Sequence, residues 1–242
     1  MQELDSTLGA AFLGSFAAAI LYGVTSVQTF LYFQGAKGDG RVMKCTIFLL
    51  WILDTTHTAI TAHGIYFYLV TNFGNFAVLE APTWSVLGGV YLTNLSDIIV
   101  RGFFARRVRS LCGHGRPVLR NLLPIIITIL SIVVFVCGTG FASKSFSLGT
   151  FERMATVDYL LYISFAAAVA SDSLVAISLC SLLFWSRTGI KRTDSILTIL
   201  MAFTINTGLL TSICAMACLI TYAIWPQRFI FMGLYFALSK RE

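Results

Sequence analysis

Long apolar runs separated by short basic turns are the feature that most constrains how this chain can fold. Six runs longer than 20 residues recur along the 242-residue chain, at positions 8–33, 45–70, 83–104, 121–141, 156–184 and 195–224. About 20 apolar residues cross the hydrocarbon core of a bilayer as a helix. Charged residues make up 12% of the chain, against about 25% in soluble domains. The sequence therefore predicts an all-α, polytopic membrane helix bundle in which residues 1–242 form a single domain.

A seventh apolar run begins at Phe229 and is short. Eleven residues, from Phe229 to Ser239, precede the charged end Lys240, Arg241 and Glu242. They span about 16 Å as a helix, which is half the thickness of the hydrocarbon core. We therefore predict seven transmembrane helices, the seventh truncated.

The distribution of Lys and Arg predicts the orientation of the bundle. Fourteen of the 17 lie on one side of the predicted spans, and only Lys144, Arg153 and Arg228 lie on the other. Basic connections remain in the cytoplasm, where they meet anionic lipid headgroups. The N-terminus is therefore predicted outside and the C-terminus in the cytoplasm of a multi-pass integral membrane protein. No basic segment is interleaved with aromatic residues, so we predict no nucleic-acid partner.

Polar side chains recur near the middle of the predicted spans. Asp54 and His57 lie one helical turn apart in the second span. The third span contributes Asn94, the fifth Asp172 and the sixth Asn206. Ionisable groups in a membrane span are costly and mark functional sites by default. We expect these five residues to meet near one plane, where they either satisfy one another in a dry core or form a ligand or proton site.

Asp97 and Arg101 form a second candidate group in the third span. Their i, i+4 spacing allows an ion pair within the helix, near the predicted cytoplasmic interface. One interpretation is a structural pair that holds the helix end. The other is a switch resembling the acid–arginine pair in the third helix of rhodopsin-like receptors, although the sequence of that pair is absent here.

Several catalytic and cofactor classes lack the residues that they require. A retinal Schiff base needs a lysine at mid-depth, but all the lysines lie at the ends of the predicted spans. His57 and His63 share one span and His114 lies in a loop, so neither a haem pair nor a three-histidine zinc site is predicted. There is no phosphate-binding glycine loop and no serine nucleophile elbow. We predict no enzymatic activity, no cofactor and no metal site.

Several short segments together resemble one known family. They are residues 21–25, 28–29, 51–57, 69–75, 95–101, 103–107, 187–195 and 205–212. The chain resembles, over most of its length, an uncharacterised family of seven-helix membrane proteins of mushroom-forming (basidiomycete) fungi, a domain of unknown function. The resemblance implies seven helices and a fungal origin, but no established activity, ligand or cofactor.

Three functions remain open on the sequence. The leading one is a receptor-like sensor that binds a small, largely apolar ligand from the outer side, with Asp54, His57, Asp172 and Asn206 orienting the ligand. The second is a transporter or proton-coupled carrier, for which Asp54→Asn would abolish proton-dependent flux. The third is a non-catalytic membrane scaffold, in which neutralising the polar residues would change only stability.

Overall fold

All the regular structure that can be described in this chain is helical. The computed structural model describes residues 8–35, 38, 40–75, 78, 81–112, 117–185, 212–221, 224, 233 and 235. The helices are α1 Ala10–Gly35, α2 Arg41–Tyr66, α3 Trp84–Leu111, α4 Pro117–Leu148, α5 Phe151–Met154 and α6 Asp158–Trp185, followed by a helical segment Ser212–Thr221. The prediction of an all-α fold is confirmed.

Four helical stretches are long and apolar enough to cross a membrane. They are Ala10–Gly35, Arg41–Thr71, Arg120–Leu148 and Asp158–Trp185. The second includes one π-helical turn, Phe67–Thr71, that continues α2. These stretches coincide with the first, second, fourth and fifth predicted spans, and they mark a multi-pass membrane protein. Most of the sixth and seventh predicted spans, including Asn206, lies outside the described residues.

The third predicted span differs from the other four. A helix begins at Trp84, within one residue of the predicted span 83–104, but it runs on to Leu111 and is not among the four stretches that are apolar enough to cross a membrane. Helix α3 packs against α2, α4 and α6. Its buried residues include Asn94, Asp97 and Arg101, so neighbouring helices cover the polar side of α3.

Thr83 marks the beginning of α3, and Pro117 and Gly149 mark the limits of α4. Thr83 has extended backbone angles, as an N-cap residue typically does, and precedes the first turn of α3. Helix α4 begins at Pro117, a position where the missing N–H costs no hydrogen bond. Gly149 follows α4 with φ of 71°, and its N–H donates to the Ser145 carbonyl. A left-handed glycine of this kind ends a helix because other residues adopt the conformation at a cost.

The bundle carries polar groups inside and large apolar side chains outside. Phe16, Phe30 and Ile125 are among many apolar residues that are more than half exposed, as expected for surfaces that face lipid tails. Helices α3, α4 and α6 pack against one another, and α2 packs between α1 and α3. The largest apolar core joins the C-terminal halves of α3 and α6 to the beginning of α4 through Ala105, Val108, Cys112, Ile127, Val175, Leu179, Leu182 and Leu183. This core lies at the end of the bundle that is predicted to be cytoplasmic.

Gly233 and Tyr235 lie against α1 and the residues packed on it. A Cβ atom built on Gly14 would overlap the backbone of Gly233, and one on Gly233 would overlap the Ala10 carbonyl. Tyr235 packs against the small apolar cluster that contains Ala11. Small residues permit this close approach of two backbones, which is a common way for helices to associate in membranes.

Candidate functional site

Arg101 is the centre of the charged group on α3. Its side chain is only 4% exposed, and its Nη1 atom lies 3.1 Å from Asp97 Oδ2 one turn earlier on the same helix. Its Nε–H donates a 3.1 Å hydrogen bond to Asp172 Oδ1 on α6. One guanidinium therefore binds a carboxylate of its own helix and a carboxylate of a neighbouring helix. A buried charge needs such partners, because removing it from water is costly unless it is paired.

Asn94 lies on the same stripe of α3, against α4. At 3.6 residues per turn, Asn94, Asp97 and Arg101 fall within about 60° of the helix circumference. Asn94 is buried, and a Cβ atom on Gly138 of α4 would lie 2.6 Å from both of its amide atoms. The missing side chain at Gly138 therefore provides the space that the amide occupies.

His57 meets α3 on a different side. Its ring is buried and its Nε2 atom would lie 3.4 Å from a Cβ atom on Gly89. Gly89 is about 140° around α3 from Asn94 and, at 1.5 Å per residue, about 8 Å nearer the N-terminal end of that helix. His57 therefore lies between α2 and α3, apart from the charged group.

The predicted polar residues make contacts with several neighbouring helices. Asn94 contacts α4, and Arg101, seven residues or about 10 Å further along α3, pairs with Asp172 of α6. His57 and Asp54 are on α2, where His57 faces Gly89. His57 thus contacts α3 near Gly89, and Arg101 contacts α6 through Asp172. The contribution expected of Asn206 lies outside the described residues.

Sequence reasoning missed the partner of Arg101. It placed Asp172 with the mid-depth polar residues and gave Arg101 only the carboxylate on its own helix. The opposite charges of Arg101 and Asp172 are compatible with an ion pair, but no local sequence pattern relates two positions that are 71 residues apart. The small residues that receive the polar side chains, Gly89 and Gly138, were also missed.

A third polar group joins the C-terminal end of α2 to the beginning of α3. His63 Nδ1 lies 3.2 Å from Ser85 Oγ, which in turn lies 2.9 Å from Thr83 Oγ1. The Tyr68 hydroxyl donates to the Ala81 carbonyl and accepts the Thr83 N–H. These bonds hold the connection between the two helices against the π-helical turn of α2. We assign this group a structural role, because it satisfies backbone groups at a helix end.

The sequence of residues 168–241 matches a protein family of unknown function (DUF6534). The match begins within α6, just before Asp172, and continues through the helical segment Ser212–Thr221. No curated protein and no solved structure matches the chain. A domain of unknown function is thus supported for these residues, whereas the seven helices and the fungal origin implied by the resemblance stay predictions.

Proposed function

We propose that this multi-pass membrane protein is a receptor-like sensor of seven helices, with its N-terminus outside and its C-terminus in the cytoplasm. In this proposal a small, largely apolar ligand binds from the outer side and changes the packing of α3 against α6. The observation that carries the proposal is that Arg101 binds carboxylates on two helices at once. Asp54 and His57 on α2 are the candidate ligand-facing residues.

The double pairing suits a contact that opens and closes. If α6 moves away from α3, Arg101 loses Asp172 but keeps Asp97, which is on its own helix. Breaking a buried ion pair usually costs about 3–5 kcal/mol, because it leaves one buried charge without a partner. Here the Arg101 guanidinium would keep Asp97 and avoid most of that cost. A sensor needs such an element with two arrangements that a ligand can bias.

The ends of the same helices offer a route to a cytoplasmic partner. Beyond Arg101, α3 continues through the apolar core to Leu111, and Arg106 and Arg109 are exposed on its other side. Separation of α6 from α3 would uncover the core between these basic residues and Leu183. A basic rim around an apolar surface suits a protein partner or anionic lipid headgroups.

Reactivity of Cys112 tests the proposal. Cys112 directly follows α3, is only 8% exposed and belongs to the apolar core shared with α6. With the other five cysteines replaced by alanine, we would measure its rate of labelling by a membrane-permeant maleimide. We expect Asp172→Asn to raise the rate about tenfold or more, because a hydrogen bond to a charged group contributes about 1.5–3 kcal/mol.

Asp158→Asn is the matched control, since it removes the same charge from the first turn of α6, about 21 Å from position 172. The control should leave the labelling rate unchanged. If Asp172→Asn lowers the thermal stability but leaves Cys112 as protected as in the wild type, the ion pair only stabilises the fold. The scaffold function would then replace the sensor.

A further inference from the structure

The segment that joins α3 to α4 contains an unbalanced group of five arginines. They are Arg106, Arg107, Arg109, Arg116 and Arg120. No Asp or Glu occurs anywhere in residues 98–151. The two other basic connections on the same side of the predicted spans, residues 37–44 and 187–194, each contain three basic residues and one Asp. The connection between α3 and α4 therefore carries a net charge of +5, whereas each of the others carries +2.

These arginines differ from Arg101 in their contacts. Arg101 is buried and binds two carboxylates. Arg106 and Arg109 are exposed and Arg120 is half-buried, and within the described residues none of these three side chains forms an ion pair or a hydrogen bond. A guanidinium group has five N–H donors and stays charged at any physiological pH. The donors of these three arginines are therefore available to an anion from outside the chain.

Arg109 and Arg120 lie near the same end of the contact between α3 and α4. The Tyr91 hydroxyl lies 2.7 Å from Ser143 Oγ of α4, and Arg109 follows Tyr91 by about five complete helical turns. Arg109 therefore lies along the edge of α3 that borders α4. Leu123, one turn after Arg120, packs against the core shared with α3. Because the two helices are antiparallel, the contact between Tyr91 and Ser143 places Arg120 about 8 Å beyond the level of Arg109.

The arginine patch, defined as Arg106, Arg109 and Arg120, lies at the depth of lipid headgroups. About 20 helical residues cross the hydrocarbon core, so a span that begins at Trp84 ends near position 103. Arg106 lies about 5 Å beyond that position along α3 and Arg109 about 9 Å beyond it. The headgroup layer on each side of the core is about 5–8 Å thick. Both guanidinium groups are therefore within reach of lipid phosphates.

We infer that the arginine patch binds a polyphosphoinositide, a lipid whose inositol headgroup carries additional phosphate groups. Guanidinium groups bind phosphate oxygens through two parallel hydrogen bonds, which the ammonium of lysine cannot form. Groups of four to eight basic residues directly beyond the cytoplasmic end of a membrane helix are typical of sites for such lipids. The several negative charges of this headgroup match the excess charge of the segment, whereas phosphatidylserine offers a single net charge. The inference rests on the proposed orientation, which places the patch in the cytoplasmic leaflet, and it names the partner of the basic rim.

Titration of the purified protein in detergent with phosphatidylinositol 4,5-bisphosphate tests the inference. Native mass spectrometry would measure the fraction of protein that carries one lipid. We expect binding at least tenfold tighter than that of phosphatidylserine with the same acyl chains. The double substitution Arg106→Gln and Arg109→Gln should weaken it about 30-fold, the effect expected for two basic residues near an anionic lipid. Because both side chains are exposed, the thermal midpoint should stay unchanged.

Arg41→Gln together with Lys44→Gln is the matched control. It removes the same charge from the first turn of α2, on the same predicted side of the membrane, and should change the affinity less than threefold. Equal weakening by the two double substitutions, or equal affinity for the two lipids, would show general attraction between basic residues and anions and would overturn the inference. An unchanged affinity after substitution of Arg106 and Arg109 would also overturn it, as would the absence of binding, which would leave the patch to a protein partner.

Water-soluble inositol 1,4,5-trisphosphate distinguishes a lipid from a free phosphate compound. It should bind at least tenfold more weakly, because it has no acyl chains to contact the apolar surface of the helices; equal affinity would overturn the assignment to a lipid. Detergent leaves both ends of the bundle accessible, so the outcome does not depend on orientation. Failure of lipid binding would therefore leave the Cys112 test of the proposed function unaffected, and failure of that test would not alter lipid binding.

Discussion

Replacing Gly138 with alanine tests how closely α3 packs against α4. In Gly138→Ala the new Cβ atom would lie 2.6 Å from Asn94 Nδ2 and Oδ1 and 2.9 Å from Asn94 Cγ. Ordinary contacts are about 3.5 Å or longer, so the amide must move by roughly 1 Å. Asn94 is buried, so this movement requires an unfavourable rotamer or a shift of α3 against α4. Overpacking of this kind costs about 1–3 kcal/mol.

Gly140→Ala is the matched control on the same helix. Among the described residues, a Cβ atom there would meet only Leu160, at 3.8 Å, so the space accepts it. Both substitutions gain the same helix preference, about 0.5–1 kcal/mol for alanine over glycine. The difference between the two variants therefore isolates the steric cost at position 138.

The assay is thermal unfolding of both variants in the same detergent. At about 2–4 °C per kcal/mol for a chain of this size, Gly138→Ala should melt about 2–12 °C below Gly140→Ala. Adding Asn94→Ala, which removes the amide, should abolish most of that difference. If Gly138→Ala melts at or above Gly140→Ala, Asn94 does not occupy the space at Gly138 and the relative placement of α3 and α4 is wrong.

Two further predictions concern the contact between Gly14 and Gly233 and the orientation of the chain in the membrane. Gly14→Ala should lower the thermal midpoint, because its Cβ atom would overlap the Gly233 backbone, whereas Gly23→Ala, whose Cβ atom has no described residue within 4 Å, should not. Equal midpoints for these two variants would contradict the contact between Gly14 and Gly233. In a cysteine-free background, Ser147→Cys should react with a membrane-impermeant thiol reagent on intact cells and Gly38→Cys only after permeabilisation; the reverse pattern would invert the proposed orientation.

The locations of the described helices followed closely from the sequence. Four predicted spans coincide with apolar helical stretches to within a few residues at most ends, because the length of an apolar run and its turn residues act locally. Helix α4 is the exception, since it continues to Leu148 rather than ending near position 141. Polar residues such as Ser143 and Ser145 make the sequence beyond position 141 less apolar, so the predicted span ends there. Serine hydroxyls do not interrupt a helix, however. Gly149 marks the actual end.

The grouping of the polar residues followed from the sequence only in part. The spacing of Asp97 and Arg101 indicates a pair because one turn of one helix relates them, and the structure contains that contact. The spacing of Asp54 and His57 likewise places them one turn apart. Depth counted along each helix suggested a common plane with Asp172, but depth leaves the rotation of each helix undetermined. Their functional roles stay predictions.

The sequence by itself therefore determined a multi-pass membrane protein built from helices, with its charged residues in the turns and a few polar groups within the spans. These properties depend on hydrophobicity and on spacing along one helix. Only the tertiary structure decided that Asp172 binds Arg101, that Asn94 lies against Gly138 and that His57 lies against Gly89. Such contacts depend on the rotation and axial position of each helix against its neighbours. Those are set by the fit of side chains across the helix contacts, which no single segment of the chain contains.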